Sequence, residues 1–162
     1  IGNDKLLSTK MMLQNGADLN TADSFGLYPL HEAASLIGSR KNSVEIIKLL
    51  LDHGANPNKI AFVNKPNSGE YLPLMTAVQN LECTKLLLEH GADLYYKDSS
   101  GYPLWSSIFL LDGNNSESIY VAKYLIIDKN MTVPNPVFYT VPNHLPRDVY
   151  FLLEKFNTYG DV

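Results

Sequence analysis

One nine-residue phrase occurs three times in this chain, as Met12-Leu13-Gln14-Asn15-Gly16-Ala17-Asp18-Leu19-Asn20, Leu50-Leu51-Asp52-His53-Gly54-Ala55-Asn56-Pro57-Asn58 and Leu87-Leu88-Glu89-His90-Gly91-Ala92-Asp93-Leu94-Tyr95. Its glycines are 38 and 37 residues apart. A second phrase falls between the copies: Tyr28-Pro29-Leu30-His31-Glu32-Ala33-Ala34, then Leu72-Pro73-Leu74-Met75-Thr76-Ala77-Val78, then Tyr102-Pro103-Leu104-Trp105-Ser106-Ser107-Ile108. Two phrases alternating in fixed order define a repeating unit. Such units bury their apolar faces by stacking on one another rather than around a single central core.

The chemistry of each phrase predicts its shape. Pro29 suits the first turn of a helix, where its missing N–H costs nothing, and small Ala33 and Ala34 let a neighbouring helix approach closely. Val44, Ile46, Ile47, Leu49, Leu50 and Leu51 form an apolar band too broad for one face of a surface helix, so this second helix must be covered on two sides. Gly54 follows its last turn, where a left-handed residue is wanted. The stretch that begins at Asn56, whose equivalent runs from Asp18 to Gly26, carries the Asp, Asn and Gly chemistry of a turn. The unit reads as helix, helix, turn.

These residues resemble the ankyrin repeat: Asp23-Ser24-Phe25-Gly26-Leu27-Tyr28-Pro29-Leu30-His31 matches the start of that motif and Gly54-Ala55-Asn56-Pro57-Asn58 its end. The resemblance implies an all-α fold with short β-hairpin loops, a solenoid of about four repeats plus a degenerate C-terminal capping repeat. A single domain, residues 1–162, divides into a partial repeat (1–20), full repeats (21–58, 59–95 and 96–131) and the cap (132–162). The cap is expected because the last apolar face of a solenoid has no successor to cover it.

The departures from the family pattern are specific. The spacing exceeds the roughly 33-residue ankyrin period, and the excess falls in two insertions. Gly38 to Ser43 enlarges the loop between the two helices of the 21–58 repeat, and Ala61 to Gly69 lengthens the hairpin before Leu72-Pro73. The fourth repeat loses one residue between Gly101 and Pro103, opens its helix loop with Asp112-Gly113-Asn114-Asn115, and ends on Asp128-Lys129-Asn130 in place of Gly-Ala-Asp. The chain also starts inside a repeat, which leaves room for a segment upstream.

Catalytic chemistry is hard to assemble from this sequence. His31-Glu32-Ala33-Ala34-Ser35 follows the zinc-protease pattern HExxH until Ser35 stands where the second ligand is required. In the ankyrin resemblance His31 instead hydrogen-bonds within the turn that begins the inner helix. His53 and His90 recur just before the capping glycine, where an imidazole can bond terminal carbonyls and complement the helix dipole; His144 sits in a Pro-rich connection. Phosphate-cradling GxGxxG and GxxxxGK[ST] sequences and a GxSxG elbow are absent. The pairs Asp18/Asp23 and Asp93/Asp98 repeat with the hairpins and read as turn residues. No enzyme, cofactor, metal site or small-molecule substrate is expected.

The 162 residues carry 17 Asp and Glu against 13 Lys and Arg, a formal charge of −4, which argues against nucleic acid because phosphate contacts need a basic face. No apolar run approaches the roughly 18 to 20 residues that cross a bilayer, so no membrane role is expected. Cys83 is the sole cysteine; it cannot form an internal disulfide and suits a reducing, cytoplasmic compartment.

What remains is a protein partner, bound by a chain that is monomeric when unbound. Ankyrin stacks resemble a cupped hand, with the hairpin tips and the exposed side of each inner helix as the variable surface. Carried over residue by residue, that surface comprises Ser24, Phe25, Leu27, Ser35 and Leu36 in the 21–58 repeat and Glu70, Tyr71, Gln79 and Asn80 in the next. The fourth repeat contributes Tyr95, Tyr96, Ser99, Ser100, Tyr102 and Trp105. Phe25, Tyr71, Tyr96 and Tyr102 are the expected anchors, because aromatic rings bury large area at small entropic cost. The resemblance implies a scaffold, adaptor or inhibitor, and the irregular insertions suit a bacterial or viral immunity or effector protein. The competing expectation is a substrate-recruiting or structural segment of a longer multidomain enzyme.

Overall fold

The computed structural model describes residues 3–35, 40–62, 69–99, 101 and 116–131. It forms two compact units, Ile1–Leu94 and Tyr95–Val162.

The first unit holds α1 (Asn3–Gln14), α2 (Pro29–Ser35), α3 (Arg40–Asp52), β1 (Ala61–Phe62), β2 (Glu70–Tyr71), α4 (Pro73–Ala77) and α5 (Leu81–Glu89). The helices lie in two rows. Inner α2 packs on inner α4, outer α3 packs between outer α1 and α5, and each inner helix packs on the outer helix that follows it. The apolar band of α3 has its neighbours as expected: Ile46, Ile47, Leu50 and Leu51 are all buried. Each such side chain contributes roughly 1.5–3 kcal/mol on burial. Ala33, Ala34 and Ala77 are buried too, and their small volume lets the inner helices approach closely.

Prolines start the inner helices. Pro29 and Pro73 occupy the first position of α2 and α4, where an N–H would have no intrahelical acceptor. The carbonyl of Tyr28 accepts from His31 N–H (2.9 Å) and that of Leu72 from Met75 N–H (3.0 Å). Glycine ends the outer helices. Gly54 has φ +87° and Gly91 φ +85°, a region closed to most side chains, and in each case two hydrogen bonds close the end. Gly54 N–H donates to Leu51 C=O (2.9 Å) and Ala55 N–H to Leu50 C=O (2.9 Å); Gly91 and Ala92 repeat the arrangement on Leu88 and Leu87. Gly16 and Ala17 do the same on Leu13 and Met12.

The inserted hairpin is antiparallel, with Ala61 opposite Tyr71 and Phe62 opposite Glu70. In the preceding repeat Asp23 closes a tighter hairpin: its Oδ1 accepts from Phe25 and Leu27 N–H, both at 2.9 Å. Asp18 and Asn56, at equivalent positions, accept the N–H two residues on (2.8 and 2.9 Å), and Asp18 Oδ2 also accepts from the Thr21 hydroxyl. The carboxylates Asp18 and Asp23 are turn residues, as the sequence implies.

In the second unit α6 (Ser116–Lys123) runs into a π-helical turn, Tyr124–Asp128. Asn130 takes the place of the capping glycine at φ +51°, a conformation Asn tolerates better than other side chains. Met131 N–H reaches back to Leu125 C=O, six residues, where Ala55 reaches back five to Leu50. The π turn absorbs that extra residue while Val121, Leu125, Ile126 and Met131 remain buried. The 132–162 cap, Asp112 to Asn115 and the first two residues of the Gly38 to Ser43 insertion lie outside the described residues. Arg40 to Ser43, expected in the loop, instead form the first turn of α3, so the helix starts earlier than its apolar band.

Among the described residues no helix is long and apolar enough to cross a membrane, and no group of three or more His, Cys, Asp or Glu side chains could hold a metal ion.

Candidate functional site

Most polar side chains at the inner turns serve the architecture, and these define the candidate surface by exclusion. His31 is fully buried, and its ring does not bond within its own turn as the resemblance implies: Nε2 faces Tyr71 C=O at 3.0 Å, in the hairpin of the following repeat. The reason lies three residues earlier. The ankyrin pattern opens this helix with Thr, whose hydroxyl could serve the ring, whereas here Tyr28 stands there and its ring lies tilted against the imidazole at 5.8 Å. Nε2 therefore carries the proton, and Nδ1 is buried without a hydrogen-bond partner. Burial holds the imidazole below its ordinary pKa, opposed by the bond to the Tyr71 carbonyl. The Lys59 ammonium lies 4.8 Å above the Tyr28 ring, so one repeat's inner turn is clasped by the next repeat's hairpin on two sides.

His53 and His90 behave alike, as their register implies. Each Nδ1 lies 2.8 Å from the carbonyl four residues back, Leu49 and Leu86. His90 Nε2 also lies 3.8 Å from Asp52 Oδ1 on the preceding outer helix. Cys83 is buried and its thiol is pushed up to about 11 by burial and by neighbouring Glu82, which makes it a poor nucleophile.

Asn80 corrects one assignment. Placed on the exposed inner-helix surface by the sequence, it is the N-cap of α5, with Oδ1 accepting from Cys83 N–H at 3.1 Å. Three residues separate α4 from α5, so this position must serve the second helix. Ser35 keeps its exposed place, its hydroxyl donating to Glu32 C=O (2.9 Å). Gln79 is half-buried in the turn after α4.

The remaining candidates separate by exposure. In the first unit Ser24 and Phe25 are exposed at the hairpin tip, Phe25 at 61%, while Leu27, Glu70 and Tyr71 are half-buried. In the second unit Tyr95 (57%) and Ser99 are exposed and Tyr96 is half-buried. Leu36, Ser100, Tyr102 and Trp105 lie outside the described residues. Sequence reasoning missed Phe62, exposed at 63% beside Glu70 on the inserted hairpin. An aromatic residue at the start of the Ala61 to Gly69 insertion was the available signal.

A family model described as ankyrin repeats (3 copies) matches residues 2–98. The chain is 36% identical over 78 residues to an intracellular phospholipase A2 of Caenorhabditis elegans, covering 48% of this chain and 7% of that protein. It is 35% identical over 101 residues to the ankyrin repeat protein L122 of Acanthamoeba polyphaga mimivirus (54% and 16%). To the human transient receptor potential cation channel subfamily A member 1 it is 36% identical over 106 residues (64% and 8%). The chain thus spans under a fifth of the length of each of these relatives. With paired inner and outer helices closed by recurring glycine caps, and with the family model matching more than half its length, the chain belongs to the ankyrin-repeat family.

Proposed function

We propose that this chain binds one folded protein partner through its hairpin tips and the adjoining inner-helix surface, without catalysing a reaction. Ankyrin repeats are protein-interaction modules, and the reading rests chiefly on one observation. Phe25 and Phe62 are more than half exposed on successive hairpins of a unit whose other inner-turn groups, His31, Asn80 and Thr84, are occupied in holding the stack together. Large aromatic side chains left in water cost hydration free energy, which a partner recovers on binding. Ser24, Leu27, Glu70 and Tyr71 surround them in the proposed surface, and Tyr95, Tyr96 and Ser99 supply a candidate surface of the second unit. The buried thiol of Cys83 and the acidic balance of the chain favour a reducing, cytoplasmic setting with a partner that is not nucleic acid.

A second reading is an interaction segment of a longer multidomain protein. It is favoured by the 7% and 8% of the phospholipase and channel relatives that the match covers. Capture from native lysate with the purified chain tests the first reading: one stoichiometric protein retained is expected. Failure to retain any specific protein would leave the segment reading in its place.

A further inference from the structure

His90 turns a ring nitrogen toward a group that a neutral imidazole cannot satisfy. Its Nδ1 lies 2.8 Å from Leu86 C=O, and a carbonyl only accepts, so Nδ1 carries the proton. In the neutral ring Nε2 is then a lone pair. It faces Asp52 Oδ1, on the preceding outer helix, at 3.8 Å, and a carboxylate is likewise an acceptor. Two acceptors facing one another leave a place for a cation, at a separation too long for a shared hydrogen bond. Asp52 ends α3 and His90 caps α5, so both stand at the negative ends of helix dipoles, and neither last turn holds a basic residue.

The first repeat shows what the architecture alone requires at these positions. Asn15 stands where His90 does, and its Nδ2 donates to Met11 C=O at 2.7 Å. The cap bond thus needs only an N–H donor. Gln14 stands where Asp52 does, so His53, which bonds Leu49 C=O at 2.8 Å, has an amide at the position opposite it in register. The pairing of an imidazole lone pair with a carboxylate belongs to the step from α3 to α5.

We propose that Asp52 and His90 form a site for a divalent transition ion of the zinc type, which ties outer helix α3 to outer helix α5. Bonds of about 2.0–2.1 Å to an imidazole nitrogen and about 2.0–2.2 Å to a carboxylate oxygen sum to more than 3.8 Å, so one ion touches both. A tetrahedral ion sets its ligand atoms about 3.4 Å apart, and rotation of the half-exposed Asp52 side chain closes the difference. The Nδ1–H bond to Leu86 C=O is the outer contact that fixes the tautomer and orientation of a ligating histidine. Imidazole with carboxylate selects zinc, copper or nickel over magnesium or calcium. Among the described residues no third His, Cys, Asp or Glu side chain joins the pair, so water completes the coordination. The site shares no residue with the hairpin surface, and the ion strengthens the stack whether or not a partner is bound.

The test is isothermal titration of the 162-residue chain with zinc chloride at pH 7.5, beside thermal melting in about 1 mM zinc. One ion per chain is expected, with the melting midpoint raised by at least about 2 °C. Asp52→Asn and His90→Asn should each weaken uptake at least about tenfold and abolish the rise. His90→Asn keeps a cap bond of the kind that Asn15 makes, so it removes the ligand without unfolding the stack. His53→Asn, at a step with no opposing carboxylate, should leave both readings unchanged. Uptake that survives either ligand substitution overturns the proposal, as does the absence of uptake up to about 1 mM zinc. A midpoint that responds to mild acid through these two residues but not to zinc makes them a protonated ion pair and overturns it as well.

Discussion

Asn58 is joined to Gly91 across one repeat: its amide Nδ2 donates to the Gly91 carbonyl at 2.8 Å. The other end of the same amide accepts from Asp93 N–H at 2.7 Å. A single exposed side chain thus pairs with both faces of the turn that ends the following outer helix, and holds two successive turns in register.

Asn58→Ala should therefore cost about 1–2 kcal/mol, two hydrogen bonds whose net worth is reduced by solvent competition. Asn58→Asp keeps the acceptor but sets a carboxylate against the Gly91 carbonyl, and should be no better than Ala. Urea denaturation followed by circular dichroism measures both; a loss below about 0.3 kcal/mol in each would show that the bridge holds nothing.

Thr84 is fully buried and its hydroxyl bonds within reach of two carbonyls, Ala77 (3.0 Å) and Asn80 (2.9 Å), at the turn between α4 and α5. Thr84→Val preserves shape and removes the donor, while the Ala77 carbonyl keeps the Asn80 N–H (2.8 Å) and the Asn80 carbonyl keeps the Thr84 N–H (3.0 Å). A loss of about 0.5–1.5 kcal/mol is expected from the same denaturation experiment, and Thr84→Ser should recover part of it.

His31 makes stability depend on pH. Its folded-state pKa lies below the ordinary value of about 6.5, because burial disfavours the charged ring, so the unfolded chain takes up its proton first as pH falls. The contribution of the neutral ring is complete above about pH 6.5 and is lost as pH drops from there to the lower folded value, below which it levels off. Denaturation midpoints measured from pH 7.5 to 4.5 should fall more steeply for the natural chain than for His31→Gln. Parallel slopes would refute this.

The thiol of Cys83, raised to about 11 and buried, should react with iodoacetamide at pH 8 at least a hundredfold more slowly than in urea. Labelling should track global unfolding of the first unit. Rapid labelling under native conditions would contradict the packing described around α5.

The helices, their proline starts and their glycine ends were legible because each depends on residues a few positions apart. His53 and His90 were legible because the same residue recurs in register. Bonds between repeats were not: Asn58 meets partners 33 and 35 residues on, and His31 meets Tyr71 at 40, distances that no local pattern encodes. The expectation that His31 bonds within its own turn passed over Tyr28, which stands where the family pattern has Thr. Asn80 was misplaced because a three-residue connection makes one position end the surface of α4 and cap α5. Phe62 was hidden because it lies inside an insertion that has no counterpart in the family pattern, and the π turn at Tyr124–Asp128 has no propensity signature, only the constraint that Asn130 must cap a helix one residue too long.

The most direct test of a hairpin-tip binding surface is the affinity of Phe25→Ala/Phe62→Ala for the captured partner, by titration calorimetry, beside its thermal midpoint. Both rings are exposed, so the stack should melt within about 2 °C of the natural chain while affinity falls at least about tenfold. Unchanged affinity in a folded double variant would contradict the account.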